Sequence, residues 1–126
     1  MENCVFCKIV ERKLPAFIVD EDDDLIVFIS KQNHPLIVPK QHLPDLFALT
    51  DELASLIIKK SRRIAKATKE ALGSDGIYIT QTNGVAAGQD VFHYHMHVYP
   101  KWTDGHKMGT DDESRKVTAK KIQDAF

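Results

Sequence analysis

No apolar run in the 126-residue chain approaches the ~18 to 20 residues a bilayer-spanning helix needs. The longest, Leu25-Ile26-Val27-Phe28-Ile29, reads as a buried strand. An excess of one charge is missing too: 17 Lys and Arg stand against 18 Asp and Glu, and the formal charge of -1 supplies no global field for nucleic acid or an anionic membrane. The start, Met1-Glu2-Asn3-Cys4, has neither the basic nor the apolar region of a signal peptide, so a cytoplasmic protein is expected. Without internal repeats, low-complexity tracts or long linkers, the chain reads as one domain over 1–126. Cysteine is scarce: Cys4 and Cys7 are the only two. In a reducing compartment such a C-x-x-C pair points to metal or redox chemistry rather than a structural disulfide, and no strand precedes Cys4 as a thioredoxin-like motif would require.

What is present is ordinary in bulk, with 43% hydrophobic and 28% charged residues, enough for one core. Cys4 to Arg12 suits a short helix with Ile9 and Val10 inward, ending before Pro15. Phe17-Ile18-Val19 and Leu25 to Ile29 read as strands around the acidic run Asp20 to Asp24, which lacks calcium-loop spacing and is expected to be a solvated turn. A third strand, Leu36-Ile37-Val38, stops at Pro39. Asp51 to Leu72 has helical spacing of Leu53, Leu56, Ile57, Ile64, Ala67 and Ala71, with Thr50 as a cap and Gly73 beyond the last turn. Its cluster Lys59, Lys60, Arg62, Arg63, Lys66 and Lys69 is expected to be a solvated helix face. Ile77 to Gln81 alternates as a strand, Asn83-Gly84 makes a turn, and the tail from about 103 is polar, compatible with a helix over Asp111 to Phe126. Strands, one long helix, then strands imply an α+β antiparallel sheet with one long helix and short terminal helices.

The most informative stretch is His93-Tyr94-His95-Met96-His97-Val98-Tyr99. On a strand the three histidines share one face, roughly 7 Å apart, while Tyr94, Met96 and Val98 turn to a core. Neighbouring imidazoles can share a zinc ion, but His93 and His97 would lie about 13 Å apart, so a metal site needs ligands from elsewhere. The other chemistry open to them is covalent catalysis, with one neutral imidazole attacking an electrophile such as phosphorus while its neighbour handles charge or protons. Three merely satisfied histidines are the plain alternative.

Ala86-Ala87-Gly88-Gln89-Asp90-Val91-Phe92 leads into this strand, His34-Pro35-Leu36-Ile37-Val38-Pro39-Lys40-Gln41-His42 brackets an earlier one, and Cys4-Val5-Phe6-Cys7 opens the chain. With these motifs, over about residues 4 to 101, the chain resembles the histidine triad family of nucleotide hydrolases and transferases. That resemblance implies a homodimer with sheets joined across its interface. It makes His95 the nucleophile at the α-phosphate of a nucleotide, His97 its partner at the phosphate oxygens and leaving group, His34 the support of His97, and Gln89 the glutamine near the leaving atom. Asn83, Gly88 with the backbone after it, and Asp90 fall at nucleotide-contacting positions. Cys4, Cys7, His42 and His93 match the ligands of a structural zinc in zinc-containing members, and two thiolates with two imidazoles suit a closed tetrahedral site.

The C-x-x-C start is closer to the phosphoramidase-like branch. The resemblance therefore implies hydrolysis of purine nucleoside phosphoramidates or related nucleotidyl conjugates, with dinucleoside polyphosphate hydrolysis and a nucleotide-binding module of little turnover as alternatives. Two departures stand out. The loop that in the family holds a ribose-gripping aspartate is reduced to Ile29-Ser30-Lys31-Gln32-Asn33, leaving Ser30 or Asn33 to replace it with neutral hydrogen bonds. Asp90 takes the place of a serine or threonine, where a carboxylate repels phosphate unless protonated or turned away.

Overall fold

Two apolar runs make the centre of the sheet. In the computed structural model, which describes residues 3–126, β2 (Leu25–Ile29) and β3 (Pro35–Pro39) pair antiparallel and are buried along their whole length. Met1 and Glu2, on which the expectation of a signal-free start partly rests, lie outside the described residues. Strand side chains alternate between faces. Leu25, Val27, Ile29 and Ile37 join one core cluster, and Ile26, Phe28, Leu36 and Val38 join another on the opposite face. Both faces are covered, which explains why these runs are continuous rather than alternating. Around them stand α1 (Val5–Val10), β1 (Ile18–Glu21), α2 (Asp51–Leu72), β4 (Gly76–Thr80), β5 (Met96–Lys101) and α3 (Asp112–Ala125). The five-stranded sheet runs β1-β2-β3-β5-β4, with every neighbouring pair antiparallel.

The helix α2 has the expected bounds. Thr50 accepts a hydrogen bond from Leu53 N–H at its start, and Gly73 takes the left-handed conformation, φ 62°, at its end. Its apolar stripe packs Leu53, Ile57, Ile64 and Ala67 on the sheet, whereas Leu56 stays exposed. The polar tail forms α3, capped by Asp111, and buries Thr118, Ala119 and Ile122 on the same core.

The structure differs from expectation at several places. Lys60 is not on a solvated face: it is buried and bridges Asp20 and Asp22, so part of the acidic run partners the helix. Asp20 and Glu21 extend β1, and the turn shrinks to the residues after them. The strand β5 begins only at Met96, so His93 and His95 precede the ladder. Pro39 has no N–H to carry the β3–β5 ladder further, and Tyr94 N–H donates instead to Leu43 O at 2.7 Å.

Candidate active site and metal cluster

The sheet face away from α2 carries the histidines. Phe28, Leu36 and Val38 cluster on it with α1, and strand parity places Ser30, His34 and His97 there too. The β2–β3 connection is short: Ser30 N–H donates to His34 O at 2.8 Å, Asn33 N–H to Ser30 O at 3.0 Å, and Asn33 accepts a positive φ of 70°. That tight turn sets Ser30 Oγ 3.0 Å from His34 Nδ1, and His34 Nε2 lies 2.8 Å from His97 Nδ1. Burial, helped by the nearby His97 and Lys101, pushes the His34 ring down to about pH 3, and burial also lowers His97, with His95 adding to the effect. Both rings are therefore neutral at physiological pH.

His95 has a different anchor. Its Nδ1 lies 2.8 Å from His93 O, so Nδ1–H donates to that carbonyl and Nε2 is left with its lone pair. The Phe6 ring packs edge-on against His95 at 5.0 Å between centroids, and the His97 ring lies 5.0 Å away on the other side. His95 and His97 open on a cavity of about 420 Å³ whose apolar wall includes Val5, Phe6, Ile9, Phe28 and Leu36. Asp90 shares this cavity. Its carboxylate stands 3.6 Å from His95 Nε2, beyond a hydrogen bond, and is held by Val91 N–H.

His93 points the other way. Its Nε2–H donates to Pro39 O at 2.7 Å, which leaves Nδ1 as the free donor atom. That atom sits 3.3 Å from Cys4 Sγ, 3.5 Å from Cys7 Sγ and 3.2 Å from His42 Nδ1, with Cys7 Sγ 3.2 Å from His42 Nδ1. All four donor atoms lie within 4.8 Å of one another. A tetrahedral zinc with bonds of about 2.3 Å to sulfur and 2.0–2.1 Å to nitrogen separates its ligand atoms by roughly 3.3–3.8 Å. The donor set and its spacing fit that ion. Without a cation, burial pushes the Cys7 thiol up to about 11, and its hydrogen bond with Cys4 adds to this; a divalent metal is what would favour the thiolates.

Three residues with expected substrate roles are placed elsewhere. Gln89 is buried with its side chain tied to backbone, donating to Pro44 O at 2.6 Å and Val91 O at 3.1 Å and accepting from Gly84 N–H at 2.8 Å. Asn83 Oδ1 accepts from Leu46 N–H, and its amide pairs with Gln81. Gly88, at φ 94°, closes a single helical turn over Val85–Ala87, and its N–H donates to Val85 O. None of the three is among the residues lining the cavity of His95 and His97, and their hydrogen bonds run to the loop and its neighbours.

Of the two residues expected to replace a ribose-gripping aspartate, both are buried, and only the Asn33 Oδ1 atom has no hydrogen-bond partner among the described residues. Ser30 is bonded to His34, and Asn33 is 1% exposed with Nδ2 donating to Gly109 O. Sequence reasoning missed Phe6 as a neighbour of His95, and it missed Arg115, whose guanidinium reaches from α3 to Ser30 O and Ile29 O at the cavity edge. Helical spacing from Cys4 and Cys7 could have singled out Phe6. Nothing local to Arg115 signals its role.

Comparison with known proteins agrees with this geometry. A family model described as HIT domain matches residues 11–104. The Protein hit of Bacillus subtilis is 37% identical over 112 residues, covering 86% of this chain and 77% of that protein. A crystal structure of a Hit-like protein from Bartonella henselae superposes with a TM-score of 0.92 at 35% identity, covering 100% of this chain and 98% of the other. A Zn-bound histidine triad family protein from Mycobacterium smegmatis gives a TM-score of 0.88 at 32% identity, covering 98% and 93%.

Proposed function

The chain belongs to the HIT family, and from that membership we propose that it is a hydrolase acting at the α-phosphate of purine nucleoside phosphoramidates or related nucleotidyl conjugates. The observation that carries the reading is His95, whose Nδ1–H is bound by the His93 carbonyl while Nε2 faces a cavity with an apolar wall. Imidazole in that state is a nucleophile at neutral pH. Its lone pair forms an N–P bond as the bond from phosphorus to the leaving nitrogen or oxygen breaks. The bonding pair departs with the leaving group, which takes up a proton from solvent, and the water of the second step gives one back. Water then attacks phosphorus, breaks the N–P bond and returns His95 with a free nucleoside monophosphate. The cavity wall of Val5, Phe6, Ile9, Phe28 and Leu36 suits a flat purine.

Cys4, Cys7, His42 and His93 would hold zinc in this reading, and the ion would be structural, since four protein ligands leave no open position for water. Reduced thiols at that site accord with a cytoplasmic protein. Two copies are taken to join through β4, the outer strand of the sheet on which Tyr78 and Ile79 are exposed.

His95→Ala is the central test. Turnover should vanish while circular dichroism shows the chain still folded, and intact-mass spectrometry of the wild type quenched during turnover should find one nucleoside monophosphate on His95. Residual activity near wild type refutes the mechanism. Tight nucleotide binding without adduct or product points instead to a binding module, and faster cleavage of dinucleoside polyphosphates than of phosphoramidates moves the substrate to that class.

A further inference from the structure

A neutral imidazole can present either a lone pair or a proton to a ligand, and which one is set by the partner of the ring's other nitrogen. For His95 the His93 carbonyl decides, leaving Nε2 bare. For His97 the decision is relayed. Its Nδ1 meets His34 Nε2 at 2.8 Å, and the far nitrogen of His34 meets Ser30 Oγ at 3.0 Å. One proton must sit in each contact, so the chain has two self-consistent arrangements.

In the first, the Ser30 hydroxyl donates to His34 Nδ1, His34 Nε2–H donates to His97 Nδ1, and His97 Nε2 bears a proton. In the second every direction reverses and His97 Nε2 is bare. The Ser30 oxygen already accepts the backbone N–H of His34 at 3.2 Å. Ser30 is 5% exposed, and among the described residues His34 Nδ1 is the only acceptor within hydrogen-bond distance of its hydroxyl. The second arrangement therefore leaves the Ser30 O–H without a protein acceptor, and the first gives the hydroxyl and both His34 nitrogens a partner.

We propose that Ser30 is a positioning residue that fixes the tautomers of His34 and His97, so that a protonated Nε2 of His97 stands beside the bare Nε2 of His95. The two rings then have opposite tasks: His95 attacks phosphorus, and His97 donates a hydrogen bond to a non-bridging phosphoryl oxygen as charge builds on it. His97 gives up no proton in this scheme, since the relay behind it ends on a hydroxyl and cannot resupply one. The tautomer assignment stands on geometry alone; its catalytic consequence rests on the reading of His95 above. The tight β2–β3 turn is what makes the contact, because a longer loop would part Ser30 from His34.

Long-range proton–nitrogen correlation spectra of the ¹⁵N-labelled full chain read the tautomers directly. The wild type should show His34 and His97 protonated at Nε2 and His95 at Nδ1. In Ser30→Ala the His34 and His97 pair should lose that uniform state while His95 keeps its own, and Ser30→Thr should restore it. With a nucleoside phosphoramidate, Ser30→Ala should lower kcat by roughly tenfold or more at nearly constant KM. It should also shrink the rate ratio between the two diastereomers of an α-phosphorothioate analogue, because sulfur weakens only a hydrogen bond that exists. A wild-type His97 protonated at Nδ1 overturns the proposal even if Ser30→Ala fails to fold, and so do tautomers unchanged in Ser30→Ala. If His95→Ala stays active while the spectra are as expected, the mechanism above fails and the tautomer assignment survives.

Discussion

Each histidine of the triad is defined by what holds its second nitrogen: Pro39 O for His93, His93 O for His95, and His34 for His97. Alternate spacing made these three residues candidates, and the assignments differ because their partners differ. Asp90 is the residue whose consequence is simplest to predict. An exposed carboxylate 3.6 Å from His95 Nε2 meets an incoming phosphate with a repulsion of about 1 kcal/mol in water-like surroundings. Asp90→Ser should therefore tighten binding of a nucleoside monophosphate by about fivefold in calorimetric titration, an effect that fades in high salt. Gln89→Ala is predicted to act on the fold. It removes bonds to Pro44 O, Val91 O and Gly84 N–H, and should cost about 1–3 kcal/mol in urea unfolding, with most of any activity loss following from the loosened loop.

Among the elements, α1 depends most on its attachment. Six residues are too few for a helix to persist alone, and Val5–Val10 is held by Phe6, Cys7 and Ile9 against the sheet and by the cluster of Cys4, Cys7, His42 and His93. Phe6 joins the two sites, lying 6.0 Å from the His93 ring and 5.0 Å from the His95 ring. With zinc held there as proposed, removing it with a chelator, or substituting Cys4→Ser and Cys7→Ser together, should cost about 2 kcal/mol and lower the melting temperature by roughly 6–10 °C. Turnover should fall as well, since Val5, Phe6 and Ile9 form part of the cavity wall; scanning calorimetry with and without added zinc checks the first effect. The long helix α2 was legible to the residue because its signals are local: the Thr50 cap, the apolar spacing and Gly73. The start of β5 was not, because it depends on Pro39 in another strand.

For the molecule as a whole, buried neutral histidines set the acid side of stability. His34 titrates near pH 3 in the folded chain and near 6.5 unfolded, so between these values the unfolded state binds the extra proton. Its contribution is complete above pH 6.5 and is lost as pH falls, at about 1.4 kcal/mol per pH unit for this one site. His97, shifted in the same direction by burial, adds to the loss. Urea midpoints should hold from pH 7.5 to about 6.5 and fall steadily from there to 4.5, and His34→Asn should flatten the slope. The two sheet edges also differ. β1 is guarded by Asp20, Glu21 and the Gln123 amide on Ile18 O, whereas β4 exposes Tyr78 and Ile79. Light scattering should give about twice the 14.3 kDa chain mass, and Ile79→Lys should halve it.

Periodicity, caps and turn residues lie within a few positions of one another, so the strands β2 and β3, the helix α2 and the face carrying Tyr94, Met96 and Val98 could be read along the chain. Resemblance to the histidine triad family, not spacing alone, gave Cys4, Cys7, His42 and His93 as one donor set, and their donor atoms do lie together. What no local pattern contains is the direction of hydrogen bonds between residues far apart. That His34 meets His97 across 63 positions follows from strand register, and that Gln89 turns to Pro44 follows from the packing of two loops 45 positions apart. Proton position in such contacts is set by geometry of tenths of an ångström, and only packing fixes that.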